Sequence, residues 1–309
     1  MYGCHYANIG SLELNPFDFD YDPASEASKL RKLHLVRLLR SMGTISDDEI
    51  NLCLEQVLMI PREDRSLNMI FDTAFDKDGE AVQSLAPFVT DIKGNEGMYA
   101  HFFNAKQDCL SGMFSKSFMT GIDLGDILND DKIAAPIIMH IADSLKAMSS
   151  EKGGFFVFID EAAALLRNEG FKANVETMYR EYRKLGGSVS LAFQGPKALF
   201  DSGIAGAVLD NTATIILLPN SQGDPESYKH FGLNDEQIHY ILTGSALSSK
   251  RTAMVIKRDS TGFEESAIID IDLAPFGADI LKYYQSGTRS LKNLEALKNQ
   301  WGKTWRTKI

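Results

Sequence analysis

Gly153-Gly-Phe-Phe-Val-Phe-Ile-Asp160-Glu161-Ala-Ala is the stretch that decides the reading of this chain. An unbroken apolar run ending in paired carboxylates predicts a buried parallel strand that carries two acids to a site at its C-terminal end. Such a pair suits the hydrolysis of a nucleoside triphosphate. The first acid would hold the shell of a Mg²⁺ ion, and the second would orient and polarise the attacking water. The competing reading is an acidic pair that caps the helix starting at Ala162, because carboxylates favour helix N-termini. The companion feature is missing. No Gly-x-x-x-x-Gly-Lys-Ser/Thr occurs in the 309 residues, so the phosphate-cradling loop expected with such a strand is not in this sequence.

The surrounding pattern predicts an α/β fold. Residues 122–128 read as a short strand or edge segment and 135–148 as an apolar-faced helix. Residues 171–184 form an amphipathic helix closed by Gly186-Gly187, where glycine can take the left-handed cap. A second buried strand at 188–193 ends in Gln194, and a third at 212–218 is stopped by Pro219-Asn220. Strands alternating with helices imply a parallel sheet with helices on both faces. Residues 251–257 and 264–271 flank Asp259-Ser-Thr-Gly262, a hairpin signal.

Upstream, residues 24–42 have helical periodicity. Ser46-Asp-Asp-Glu49 is a capping box that opens a second helix, which Pro61 stops. Beta-branched runs are scarce here. The expected organisation is therefore residues 1–23 as a remnant of the core, 24–117 as an all-helical insertion, and 118–309 as the rest of the core.

Composition bounds the partners. Lys plus Arg number 32 against 42 Asp plus Glu, a net charge of −10, which argues against nonspecific nucleic-acid binding as the main activity. DNA contact would have to come from a local basic face. Cys4, Cys53 and Cys109 are too scattered for a disulfide framework or a zinc site. No stretch has the continuous apolar length of a membrane helix, and Met1 opens no signal-peptide pattern. The expectation is a soluble, cytoplasmic chain.

Further candidates follow from position. Gln194, in Ala192-Phe-Gln194-Gly-Pro196, lies beyond the end of the strand after Asp160 and Glu161. Ligands of open parallel sheets sit beyond the carboxyl ends of the strands, so its amide could bond a γ-phosphate oxygen and the attacking water; alone it would be an ordinary turn residue. Arg180, Arg183 and Lys184 close the intervening helix, where cations are favoured in any case. Arg183 is the candidate for a guanidinium offered to a neighbouring subunit's nucleotide. Lys29, Arg31, Lys32, Arg37 and Arg40 make a basic helix with Leu30, Leu33, Leu38 and Leu39 expected to pack inward. A solvated face is the favoured reading over contact with DNA, lipid or an acidic partner, and the same holds for Lys292, Lys298, Lys303, Arg306 and Lys308. The six histidines show no metal-ligand spacing.

These residues resemble the C-terminal ATPase domain of the conjugation and type IV secretion ATPases, the CagE/TrbE/TraC family. The likeness runs in order through most of the chain. Gly3 to Phe17, with Asn15-Pro-Phe17, is similar to the family's strand and Asn-Pro turn. Gly97-Met-Tyr-Ala-His-Phe-Phe103 with Asp108 resembles the end of its helical insertion, and Gly121-Ile-Asp123-Leu the strand on which the core resumes. Phe158-Ile-Asp160-Glu161-Ala resembles the Walker B strand, Arg183-Lys184-Leu-Gly186 the arginine-lysine motif, and Ala192-Phe-Gln194-Gly-Pro196 the Thr-Gln-Ser-Pro segment. Leu217-Leu-Pro219-Asn220 and Phe231-Gly-Leu233 resemble the Leu-Pro-Asn and Phe-Gly-Leu segments. Phe193 departs from the pattern, standing where the family usually has threonine.

The resemblance implies a RecA-like P-loop core, incomplete at its N-terminus, that uses ATP and Mg²⁺ at the boundaries of a hexamer. Asp160, Glu161 and Gln194 would line the nucleotide site: Asp160 on Mg²⁺ through water, Glu161 as catalytic carboxylate and Gln194 as sensor. Arg183 would complete a neighbour's site. The partners implied are a Walker A portion upstream of Met1, further copies of the chain, and other secretion components at the bacterial inner membrane, with the chain peripherally attached. On this reading the chain is a truncated product, one part of a split gene, the product of a misplaced start or an expression fragment, and is inactive alone. The alternatives are a non-enzymatic docking subunit and a fragment of a DNA translocase of the HerA/FtsK type.

Overall fold

The computed structural model describes residues 5–73, 79–152, 154–247, 251–259, 261–277 and 288–302. Gly3, Cys4, Gly153, Lys303, Arg306 and Lys308, named above, lie outside them. The chain divides into two compact units, Met1–Asn211 and Thr212–Ile309.

In the first unit, β1 (His5–Asn8) pairs in parallel with β2 (Thr120–Asp123), with Ala7 opposite Ile122. Between them in sequence come α1 (Glu26–Met42), α2 (Asp47–Val57), α3 (Leu67–Thr73), α4 (Glu80–Leu85), α5 (Ala100–Phe103) and α6 (Cys109–Lys116). The Ser46–Glu49 capping box forms at the start of α2 as the sequence requires, and α2 ends at Val57, before Pro61.

The buried residues of α1 are Ser28, Leu35, Val36, Leu38, Leu39 and Met42. Leu30 and Leu33 do not pack inward: they are 56% and 51% exposed. The first turns of α1 lie over the polar loop before it, where Ser28 Oγ accepts the Asp22 N–H at 3.0 Å, and the apolar stripe starts only at Leu35. Four of the five cations of the basic helix have partners within this chain. Lys29 pairs with Glu26, Lys32 with Glu55 and Arg40 with Asp47, and Arg31 lies over the Phe19 ring.

Asn15 and Arg65 hold the helical segment together. Asn15 is buried; its Nδ2 donates to the Arg65 carbonyl and its Oδ1 accepts from Phe17 N–H. The buried Arg65 guanidinium donates to the carbonyls of Ile60, Phe19 and Leu58. Asp108 accepts from Asn15 N–H, caps α6 through Leu110 N–H, and lies 2.5 Å from His140 Nε2. Burial pushes the Asp108 carboxyl up, but the His140 bond and charge and the two N–H donors outweigh it and hold it below the ordinary carboxylate range.

The unit continues with α7 (Asp131–Lys152), β3 (Phe155–Ile159), α8 (Ala162–Leu165), α9 (Glu169–Glu181), a 3-10 turn at Tyr182–Leu185, β4 (Gly187–Leu191), α10 (Lys197–Asp201) and α11 (Ala205–Asp210). Gly186 closes the turn in the left-handed region, φ 71°. β3 and β4 pair in parallel, from Phe155 opposite Gly187 to Ile159 opposite Leu191. One face of this pair is covered: Phe155, Val157, Ile159 and Val189 pack against Ala142 of α7, Met178 of α9 and Tyr182. The other face is open, with Phe156 and Phe158 at 66% and 58% exposure. The strand expected to be buried on both faces is thus buried on one, because α7 and α9 both lie on the same side.

In the second unit, β5 (Thr214–Leu217), α12 (Pro225–Lys229) and α13 (Asp235–Leu247) precede β6 (Thr252–Arg258), β7 (Glu264–Asp270) and α14 (Thr288–Trp301). The hairpin forms as read: Asp259 Oδ1 accepts from Thr261 and Phe263 N–H, and Gly262 takes φ 85°. β6 is central and antiparallel to both β5 and β7. The strand around residues 212–218, expected in a parallel sheet, is therefore antiparallel to its bonded neighbour. Alternation of helices and strands tells which segments are strands, but the following hairpin supplies the neighbour. The fold is mixed α/β, with parallel pairs in the first unit and an antiparallel sheet in the second. Among the described residues no helix is long and apolar enough to cross a membrane.

Candidate functional site

Asp160 and Glu161 follow the last residue of β3, and Gln194 lies three residues past the end of β4. Two bonds lace these ends together beyond the strands: Ala192 N–H donates to the Ile159 carbonyl at 2.9 Å, and Ala162 N–H donates to the Ala192 carbonyl at 3.0 Å. The three candidate side chains thus leave adjacent backbones at the C-terminal end of a parallel pair, and all three are exposed.

Glu161 has an unusual conformation. Its φ of 50° and ψ of 40° are left-handed, and among the described residues it is the one non-glycine with positive φ. That backbone costs a side-chain-bearing residue about 1–2 kcal/mol. It is held from two sides: Glu161 N–H donates to Asp160 Oδ1 at 3.0 Å, and the next residue, Ala162, is fully buried and bonded to Ala192. Glu161 occupies the N-cap position of α8 but makes no side-chain capping bond. The geometry therefore speaks against the helix-cap reading. The left-handed turn leaves the carboxylate exposed and without a bond to the helix it precedes.

Asp160 uses one oxygen on its neighbour's backbone, and among the described residues no donor occupies the other. No group of three or more His, Cys, Asp or Glu among the described residues could cage a metal. One or two carboxylates completed by water and phosphate oxygens are the usual way to hold Mg²⁺, and Asp160 with Glu161 fits that donor set. The phosphate half of a nucleotide site is different: the 309 residues contain no Gly-rich loop of the required form. The residues present fit a metal and a water, and the sequence carries no loop of the phosphate-cradling pattern.

Arg183 is not brought to this group. It lies in the 3-10 turn before β4, at the N-terminal end of the strand pair, and five residues of strand, roughly 16 Å at about 3.3 Å each, separate it from the acids. Arg180 forms an ion pair with Glu176. Phe193 is half-buried against the main core.

Sequence reading missed the clamp. Ala162 and Ala192 act through their backbones, and nothing in their identity marks them. It also missed a second polar strand end, where Tyr6 Oη donates to Asp123 Oδ2 at 3.1 Å and Asn8 Nδ2 to Asp126 Oδ2 at 2.9 Å. The hydrogen bond to Asp123, with burial and the carboxylate's charge, raises the Tyr6 phenol above its ordinary value.

Parallel strand ends bearing acids, within a mixed α/β fold, define the class of protein in which relatives should be found. No protein-family model matches the chain. The solved structure of VirB4 of Thermoanaerobacter pseudethanolicus shares its fold, at a TM-score of 0.58 and 15% identity over 89% of this chain and 78% of that one. Among curated proteins, the type IV secretion system protein VirB4 of Bartonella henselae is 26% identical over 269 residues, 84% of this chain and 32% of its own length. PtlC, a type IV secretion system protein of Bordetella pertussis, is 25% identical over 226 residues, 69% of this chain and 27% of its own length. VirB4 and PtlC type IV secretion proteins are thus homologues of this chain over part of their length. The chain spans about a third of the curated VirB4 relatives it matches.

Proposed function

We propose that this chain is the hydrolytic end of an ATP-driven motor subunit that energises type IV secretion or conjugative transfer. The observation that carries the reading is the clamped left-handed Glu161, displayed beside Asp160 and Gln194 at the ends of two parallel strands. Strain held in place at an exposed carboxylate is typical of a working site.

Residues 1–23 and 118–309 would belong to a RecA-like core, with residues 24–117 inserted. Bound Mg²⁺ would neutralise charge developing on the phosphates. Asp160 would hold the metal's water shell through its remaining oxygen, Glu161 would take the proton of the attacking water, and Gln194 would orient that water. Arg183 lies at the far end of the strand pair from its own chain's acids; on this reading it would serve a neighbour's nucleotide in a ring, with a hexamer as the expected form. The phosphate loop would come from outside these 309 residues, and the assembly would work on the cytoplasmic side of the inner membrane with other secretion components.

The test is a chimera in which the Gly-x-x-x-x-Gly-Lys-Ser/Thr segment of a longer relative is joined ahead of Met1. Glu161→Gln in that chimera should keep ATP binding and lose turnover by about a hundredfold or more. Arg183→Ala should also be inactive, and mixing the two inactive variants should restore part of the activity. Near-normal hydrolysis by Glu161→Gln would refute the assignment. Failure to complement in confirmed mixed oligomers would place Arg183 outside the neighbour's site. The open Phe156–Phe158 face favours a second reading, a docking subunit without its own hydrolysis. A chimera that binds a labelled ATP analogue with Mg²⁺ but never turns it over would select that reading.

A further inference from the structure

The joint between α1 and α7 contains a buried cluster that the proposed site does not use. His34 of α1 and Asp143 of α7 approach to 3.6 Å between Nε2 and the nearer carboxylate oxygen, with side chains only 13% and 16% exposed. Among the described residues, His34 Nδ1 is a buried polar atom with no hydrogen-bond partner. Both side chains line a small, partly open pocket of about 10 Å³ together with Pro16, Arg31, Leu35, Leu38 and His140, room for about one water at most. An isolated ion pair in such a place would need further hydrogen bonds to offset its desolvation, and His34 has none on its second nitrogen.

The charged groups around the pair are unbalanced. Arg31 and Arg37 face it from α1, His140 and Lys146 from α7, and Glu181 from the end of α9, with the Tyr182 hydroxyl nearby. Lys146 is itself bonded to Glu181, and His140 to Asp108. The cationic surroundings oppose a charged imidazolium, while burial opposes either ion.

We propose that His34 and Asp143 form a proton-exchanging clasp: when α1 docks on α7 in mildly acidic solution, the proton that the imidazole carries in water is given up and one is taken by the carboxyl. No net proton is gained or lost and no bond other than N–H and O–H changes. The joint closes on two neutral groups and is insensitive to acid over the range in which an exposed His–Asp pair would be charged.

The titration directions support this. Burial, then Arg31, Arg37 and Lys146, lower His34 to about 4 against the opposing pull of Glu181. Burial pushes Asp143 up to about 6 despite Arg37, His140, Lys146 and Arg31. A carboxyl whose folded value is raised contributes stability that is present below its ordinary range and is lost as pH rises through about 6. A histidine whose folded value is lowered contributes stability that is present above about 6.5 and is lost as pH falls towards about 4. The slopes oppose each other between about pH 4 and 6, so the intact pair hides its own titration.

Single variants should expose it. In denaturant titrations of the full chain, compare Asp143→Asn and His34→Gln with the parent from about pH 4 to 7. The parent's advantage over Asp143→Asn should shrink as pH rises. Its advantage over His34→Gln should shrink as pH falls. Each unfolding-constant ratio should change by roughly tenfold to a hundredfold. Parallel or flat profiles would overturn the proposal. Should either variant fail to fold, NMR of ring-labelled histidine in the parent decides: His34 should stay neutral down to about pH 5, and half-protonation near its ordinary value of about 6.5 would overturn the clasp.

Discussion

Glu161→Gly should make this protein more stable. Glu161 sits at φ 50°, ψ 40° with no side-chain capping bond, so removing its Cβ relieves a left-handed penalty of about 1–2 kcal/mol. The extra freedom of glycine in the unfolded chain takes back roughly 0.4–1 kcal/mol. The net expectation is a gain of roughly 0.5–1 kcal/mol, or a rise in Tm of about 2–3 °C for a unit of this size. Glu161→Ala is the control. It keeps the left-handed penalty and the backbone bond to Asp160 while deleting the carboxylate, so it should match the parent within about 0.5 kcal/mol. Urea titration of all three proteins by circular dichroism would read the order. If both variants fell below the parent by about 1 kcal/mol, the carboxylate would be a helix cap after all, and strain could not be offered as a mark of function.

Asp160→Asn should keep an acceptor for Glu161 N–H and stay near the parent in stability, whereas Asp160→Ala should lose about 1 kcal/mol; equal losses in thermal melts would show that the 3.0 Å bond does not hold the turn. Arg65→Met should cost about 3 kcal/mol or more, since it leaves the carbonyls of Ile60, Phe19 and Leu58 without their buried donor. A loss under about 1 kcal/mol in denaturant titrations would mean water replaces the guanidinium. Val157→Ala should cost about 1–2 kcal/mol, because that side chain faces the covered side of β3, while Phe156→Ser on the open side should change stability by less than about 0.5 kcal/mol; comparable losses would mean both faces are shielded.

The sequence carried the elements better than their neighbours. The capping box at Ser46, the glycine stop at Gly186 and the hairpin at Asp259–Gly262 are local chemistry, and each could be read without knowing the rest of the fold. The pairing of β5 was not legible, since its partner β6 is chosen by a chain reversal some forty residues later. The apolar run of β3 predicts burial on both faces, but an apolar pattern records what a side chain is suited to meet, not what this stretch of chain brings to it. At the candidate site, the residue types at Asp160, Glu161 and Gln194 were visible. The left-handed turn at Glu161 was not, because that conformation is signalled by glycine or asparagine and the clamp that imposes it is made by two alanine backbones.

The open face of β3 also changes how the purified protein should behave at the bench. Phe156 and Phe158 stand 66% and 58% exposed on β3, a ready surface for a hydrophobic dye. The native chain should therefore brighten anilinonaphthalene sulfonate at neutral pH, a response ordinarily taken as the mark of a molten globule. A molten globule would have lost its near-ultraviolet circular dichroism; this protein should keep it, with Phe155 and Tyr182 locked edge-to-face at 5.0 Å on the opposite side of the same strand. Dye brightness together with an intact aromatic spectrum would mark a finished fold with an uncovered side, and refolding screens that discard bright fractions would discard the native protein.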